Sequence, residues 1–256
     1  MIDVHAHCPS ERGLWGLAAP YPSDAYLTFM DRAGIDASVI CTMDGLIYPT
    51  SATNDEVARF VSVDRARLVG LATVEPRFPA SVAEVDRCLS QLHFAGLKLH
   101  PLLQGFAPTE PGTMLDEICG LVAEHHGVVL FHDGTAPYST ALQIAVLARR
   151  HPRVAFVLGH AGGRDLWPEA IAAVCDVPNV YACLGTSTVL ATRQLVARCP
   201  LGQLLFGTDA GLGSIAQQVY VLRRIEGFEA LGLPAHVEAA IRHTNPRRLF
   251  ERHLSS

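Results

Sequence analysis

Eight short apolar runs, each followed by a stretch that reads as helix, divide this 256-residue chain from end to end. The runs fall at 2–7, 37–41, 69–74, 96–100, 128–132, 154–159, 180–184 and 204–208. They are continuous rather than alternating in hydrophobicity, the pattern of parallel strands covered on both faces. Residues 24–33, 54–63, 81–93, 113–125, 138–150, 166–175 and 188–197 read as the intervening helices, with Val82, Val85, Leu89 and Leu92 spaced for one buried face. Gly34 stops the first helix, and Asn54 is the expected N-cap of the second. Helices at 215–227 and 235–242 precede an Asn245-Pro246 turn into a short last segment. Eight strand–helix units in about 250 residues is the count of a TIM barrel. The expected fold is therefore α/β, a single (β/α)8 barrel over 1–256, at most slightly distorted, with an extra C-terminal helix. A doubly wound open sheet usually has fewer strands and a Gly-rich turn after the first; here His7-Cys8-Pro9 stands in that place.

Composition narrows the function classes. With 49 % apolar and 18 % charged residues, a large core is available. A net charge of −5 and the lack of a Lys/Arg-rich run give no nucleic-acid surface. The seven Cys form no C-x-x-C pair and read as small buried hydrophobes. His5 arrives too early for a charged and then apolar leader. No apolar run approaches the roughly 20 residues of a membrane span. The expected compartment is the cytoplasm, with neither membrane nor nucleic acid as partner.

The strand ends carry the chemistry. In Val4-His5-Ala6-His7 two imidazoles project from one face, about 7 Å apart, so that one metal ion can touch both. The fourth run ends with Lys98 and His100, the fifth with His132, the sixth with His160, and the eighth with Asp209. Barrel active sites lie where strands end, so seven ionisable side chains converge on one mouth. Any single one of these His reads equally well as a satisfied polar residue at a strand end; stability does not require the whole set.

These residues resemble a known family. V-H-A-H, K-L-H-P, L-F-H, L-G-H-A-G-G and F-G-T-D, with the closing T-N-P-R-R-L-F, resemble the amidohydrolase superfamily over nearly the whole chain. The likeness is to its amidohydrolase-related (amidohydrolase 2) branch, which holds metal-dependent hydrolases and decarboxylases. The resemblance implies His5, His7, His132 and Asp209 as ligands of one divalent ion. Zinc suits that set best, with manganese, iron or cobalt as alternatives. It makes Asp209 also a proton acceptor and His160 the residue that orients or deprotonates water. Gly162 and Gly163 would let their loop pass close to substrate. Some superfamily members bridge two metals with a carbamylated Lys, which would be Lys98; in this branch the Lys need not be modified. TatD-like nucleases place a Glu at this strand, and this chain has none there.

The implied activity is metal-dependent hydrolysis of a small amide, ester or lactone. The alternatives are non-oxidative decarboxylation of an unsaturated or aromatic acid, and a barrel that only binds a ligand. Lys98, His100 and Arg164 are the candidate substrate-binding residues. Arg12 and Arg77 could equally hold a substrate carboxylate, and each Arg reads as readily as a solvated loop residue. Trp15, Tyr48, Phe106, Tyr138 and Trp167 could wall an apolar pocket or pack the rim. Cys8 could be a further ligand, but reads more readily as small filler. The expected partner is a small molecule, carboxylate-bearing in one reading, and a homodimer is left open.

Overall fold

A computed structural model describes residues 1–8, 21–47, 50–211 and 219–254. Arg12, Trp15 and Tyr48 lie outside them. The first strands are β1 (Ile2–His7), β2 (Ala37–Cys41) and β3 (Leu68–Gly70), interleaved with helices α1 (Ser23–Ala33), α2 (Thr50–Val61) and α3 (Ala80–Ser90). The chain continues with β4 (Gly96–Leu99), α4 (Pro101–Gln104), α5 (Met114–Glu124), β5 (Val128–Phe131) and α6 (Ala141–Arg150). Then come β6 (Ala155–Leu158), α7 (Trp167–Asp176), β7 (Val180–Cys183), α8 (Val189–Arg198) and β8 (Leu204–Leu205). Helices α9 (Val219–Glu229), α10 (Ala235–Ala239) and α11 (Asn245–Leu249) follow. Among the described residues no helix is long and apolar enough to cross a membrane.

Every strand pair is parallel, in a three-stranded sheet β1-β2-β3 and a five-stranded sheet β4-β5-β6-β7-β8. Two seams join them into a TIM barrel. At one, Ala72 bridges Leu97, with Ala72 N–H donating to Gly96 O at 2.9 Å and Lys98 N–H to Ala72 O at 2.7 Å. At the other, Ala6 bridges Ala210, and His7 N–H donates to Ala210 O and Asp209 N–H to His5 O, both at 2.7 Å. These seam bonds lie beyond the paired ends of β3 and β8, which is why both strands are shorter than their apolar runs.

The core has two layers. Ile2, Val4, Val39, Leu71, Leu130, Val157 and Leu205 fill the barrel interior, where Phe250 and Leu254 after α11 join them. Leu97, Leu99, Phe131, Phe156, Leu158 and Phe206 face outward onto helix residues such as Ile118, Val122 and Ile144. β1 departs from simple alternation. Asp3 pairs with Ser38 and Ala6 with Ile40, so Val4 and His5 together stand opposite Val39 alone. This bulge re-phases the strand. Val4 joins the interior apolar layer, while Ala6 packs in the outer one, leaving His5 and His7 on the inner side of the mouth.

The second helix corrects one expectation. It starts at Thr50, so Asn54 is not its N-cap but a buried residue inside it. The Asn54 amide accepts from Thr73 N–H at 2.9 Å and donates to Thr73 O at 3.0 Å, tying α2 to the chain after β3. Its second N–H donates to Glu84 on α3 at 2.8 Å.

Candidate metal centre at the barrel mouth

His5 and His7 come from the bulged end of β1, Lys98 from β4, His100 and His132 from just past β4 and β5, His160 from the loop after β6, and Asp209 from the seam after β8. His5, His7, Lys98, His100 and Asp209 are buried, and His132 and His160 half-buried. Asp209 Oδ1 lies 3.0 Å from His7 Nε2 and 3.4 Å from His5 Nε2. Ligand atoms of His5, His160 and Asp209 all lie within 4.8 Å of one another. His132 stands one hydrogen bond further out: its Nδ1 is 2.9 Å from His160 Nε2.

Two carboxylates fix this geometry, and reasoning from sequence passed over both. Asp3 is buried and accepts from His5 N–H at 3.1 Å, from Thr208 N–H at 2.8 Å and from the Thr208 hydroxyl. It thereby locks the ligand ends of β1 and β8 together. Asp133 accepts from the backbone N–H of His160 and of Gly162, each at 2.6 Å. Burial lifts both carboxyls to about 6 against those hydrogen bonds. The signal was adjacency: D-V-H and H-D sit inside the motifs. Gly162 and Gly163 have φ of 85° and 63°. Their neighbours are protein backbone: a Cβ on Gly162 would meet Leu166 O at 2.4 Å, and one on Gly134 would meet Gly163 N at 2.7 Å.

Hydroxyls and stacking hold the rings. Thr186, after β7, bonds His160 Nδ1 at 3.0 Å, and Thr135 bonds His132 Nε2 at 3.0 Å. His100 stacks on His132 with ring centres 3.8 Å apart, and its Nδ1 accepts from Leu103 N–H at the start of α4. Lys98 Nζ donates to His5 Nε2 at 2.9 Å. Cys41 Sγ lies 3.3 Å from His7 Nδ1. Lys98 and His100 thus contact imidazoles of the cluster. Arg164 is exposed and makes no ion pair with the described residues. Trp167 packs on the outer apolar layer, and Cys8 is buried in it. Arg77, Phe106 and Tyr138 line one cavity of about 600 Å³ between the loops after β3, β4 and β5. Arg77 is already engaged there by Glu75 at 2.9 and 3.0 Å.

The electrostatics leave four of the five imidazoles at the mouth neutral. Burial, helped by the Lys98 charge, holds His5 well below its usual range. Burial also depresses His132, and brings His100 to about 3 and His160 to about 4. These four rings are neutral at pH 7, whereas Cys41 and the hydrogen bond with Asp209 outweigh burial at His7 and lift it to about 9. Asp209 is the opposite case. Burial would raise it, but His5, His7 and His160 around it outweigh that and keep it ionised. Neutral His5 and His160, with His7 able to give up its proton on binding, converge on a buried carboxylate, a donor set that fits a divalent cation. Asp209 also has a left-handed backbone, φ 57°, uncommon outside glycine. Two residues of α9 brace it: Tyr220 OH donates to Asp209 O at 2.7 Å, and Arg224 Nη1 donates to Thr208 O.

Solved structures share this architecture. 2,6-Dihydroxybenzoate decarboxylase from Rhizobium superposes with a TM-score of 0.74 at 18 % identity, over 98 % of each chain. Dihydroxybenzoic acid decarboxylase from Polaromonas sp. JS666, solved with bound manganese and 2-nitroresorcinol, gives 0.75 at 15 % identity, over 98 % of this chain and 96 % of that one. A probable 2-pyrone-4,6-dicarboxylic acid hydrolase from Acinetobacter baumannii, solved with citric acid, gives 0.75 at 15 % identity, over 98 % of each. No curated protein matches the chain in sequence. The family model described as Amidohydrolase matches residues 2–252, spanning every strand end that carries the cluster, and the chain belongs to that family of TIM-barrel enzymes.

Proposed function

We propose that this enzyme is a metal-dependent hydrolase of a small amide, ester or lactone. The observation that carries the reading is the pairing of ionised Asp209 with neutral His160 beside His5 and His7. Such a site has proton acceptors at neutral pH, as attack by water requires. His5, His7, Asp209 and His132 would hold one divalent ion, with zinc the best fit to the donors. Bound there, the ion supplies a Lewis acid that polarises a carbonyl and lowers the pKa of water. Asp209 accepts the proton of the attacking water and returns it to the leaving group. His160, held at Nδ1 by Thr186, orients that water. The assignment of His132 as ligand and His160 as proton carrier follows their places in L-F-H and L-G-H-A-G-G. In this reading Lys98 serves as an unmodified amine against His5.

A second reading, non-oxidative decarboxylation of an unsaturated or aromatic acid, is favoured by the names of two of the three neighbours. Carbon dioxide release across a panel of carboxylic acids separates the two.

The metal assignment is tested without a substrate. Elemental analysis of the wild type is expected to give about one ion per chain. His132→Ala should lose it, whereas His160→Ala should retain most of it and, once a substrate is in hand, lose about 100- to 10,000-fold in rate. Equal metal loss in both variants would make His160 a ligand and the site binuclear, with Lys98 as the bridge.

A further inference from the structure

Arginines of this chain differ in what their guanidinium edges meet. Arg77 gives its Nε and Nη2 to the two oxygens of Glu75 at 2.9 and 3.0 Å. Arg87 gives the same edge to Glu84 at 2.9 and 2.8 Å. That edge matches a carboxylate with two parallel hydrogen bonds. Arg224, on α9, is placed otherwise. Its Nη1 donates to Thr208 O and lies 3.8 Å from Asp209 Oδ2, and its guanidinium sits 4.9 Å over the Tyr220 ring. The planar group is therefore fixed by one corner and one face. Among the described residues nothing pairs with its Nε–Nη2 edge.

Arg224 also lines a cavity of about 290 Å³ with Gly185, Ser187, Thr188 and Phe228. Gly185 and Ser187 flank Thr186, which holds His160, and the Ser187 hydroxyl donates to His160 O at 3.3 Å. After burial, the Arg224 charge is among those that depress His160. One guanidinium thus touches the Asp209 carboxylate, influences His160, and borders a space of small-ligand size.

We propose that the Nε–Nη2 edge of Arg224 is a carboxylate-binding subsite that selects anionic substrates for this mouth. The proposal deepens the catalytic reading above and rests on it for its meaning. The subsite itself needs neither metal nor turnover. Among the described residues Arg224 hydrogen-bonds only through Nη1, so a carboxylate docking on the opposite edge displaces none of those bonds. This is the bond pair that Glu75 and Glu84 already make elsewhere in the fold. Lys offers no such edge, because its donors radiate from one point.

The test compares benzoate with benzamide, its neutral counterpart, by isothermal titration of the full chain, as purified and again with excess chelator. With chelator present, benzoate should bind about tenfold tighter or more than benzamide. Arg224→Gln should abolish that preference, and Arg224→Lys should keep only a part of it. Arg223→Gln should preserve it, since Arg223 borders the same cavity but is exposed and pairs with Glu226. A wild type without the preference, or an Arg224→Gln chain that retains it, overturns the subsite. Arg224→Lys keeps the result readable should the Gln variant misfold. A chain that holds no metal but shows the preference keeps the subsite and refutes the metal reading; one that holds metal without the preference does the reverse.

Discussion

The glycines of L-G-H and F-G-T-D are there because His5 fills the space beside them. A Cβ on Gly159 would stand 3.0 Å from His5 Cε1 and 2.7 Å from Phe131 O. One on Gly207 would stand 2.9 Å from His5 Cβ and 2.7 Å from Cys183 Sγ. The ring is thus wedged between the ends of β6 and β8, with its Nδ1 3.2 Å from Gly159 O. Gly207→Ala must push His5 or Cys183 aside, and overpacking of this kind costs about 1–3 kcal/mol. Chemical denaturation should show that loss, with metal affinity falling in the same variant; an unchanged melt would mean that the strand ends have slack. The ligand-type residues themselves were legible because each closes an apolar run. The bulge at Val4–His5 was not, since it appears only as a mismatch with β2. Asp3 was illegible for a related reason: its partner Thr208 lies 205 residues away.

Elements were legible wherever apolar spacing drives them, and shifted where a polar group does. The helices α3, α5, α6, α7 and α8 fall inside the spans expected from sequence or within a residue of them. α2 starts early because Asn54 serves the loop after β3 rather than its own helix end. α4 went unseen: four residues are too few for a period, and its N-cap is the His100 ring. Contacts between helices supply an acid-sensitive joint away from the mouth. Asp116 of α5 meets Arg150 of α6 at 3.1 Å and His151 at 2.5 Å. Arg150 in turn donates to the carbonyls of Pro108, Thr109 and Glu110. Burial opposes ionisation of Asp116, but the hydrogen bond from His151 and the contacts with Arg150 prevail and lower its pKa below 3.8. A carboxyl with a depressed folded-state pKa binds fewer protons folded than unfolded, so its stabilisation is present above 3.8 and is lost as pH falls through the lower folded value. Asp116→Asn should therefore cost about 1 kcal/mol at pH 7, as befits a part-exposed pair. Thermal melts of the two proteins should converge toward pH 3; a gap that persists there would assign the effect to packing.

At the scale of the whole molecule, the barrel is divided along its axis. Its floor is apolar, built by Ile2, Val4, Val39 and Leu130 with Phe250 against them. Its mouth holds His5, His7, Lys98, His100 and Asp209, all buried. Buried charge is costly unless paired, and here ionised Asp209 pairs with His7, whose pKa is raised to about 9, while Lys98 faces the neutral imidazoles of His5 and His100. The ligand ends of β1 and β8 meet at the seam that closes the barrel, where the two sheets are joined by isolated bridges rather than a full ladder. An ion held by His5, His7 and Asp209 would cross-link that seam, so binding should appear as stability of the fold. With free ion at about 100 times its dissociation constant, mass action adds about 2.7 kcal/mol. For a domain of this size that corresponds to a rise in Tm of roughly 5–10 °C. Scanning calorimetry of the chelated chain, repeated with added zinc or manganese, should show that rise for the wild type. His7→Ala should lose it, because the variant lacks a donor on the β1 side of the seam. Gly207→Ala should reduce it without abolishing it, because its ligands are displaced rather than removed. A melt that ignores both metals in the wild type would leave the donor cluster as a polar packing unit and overturn the metal-dependent reading as a whole.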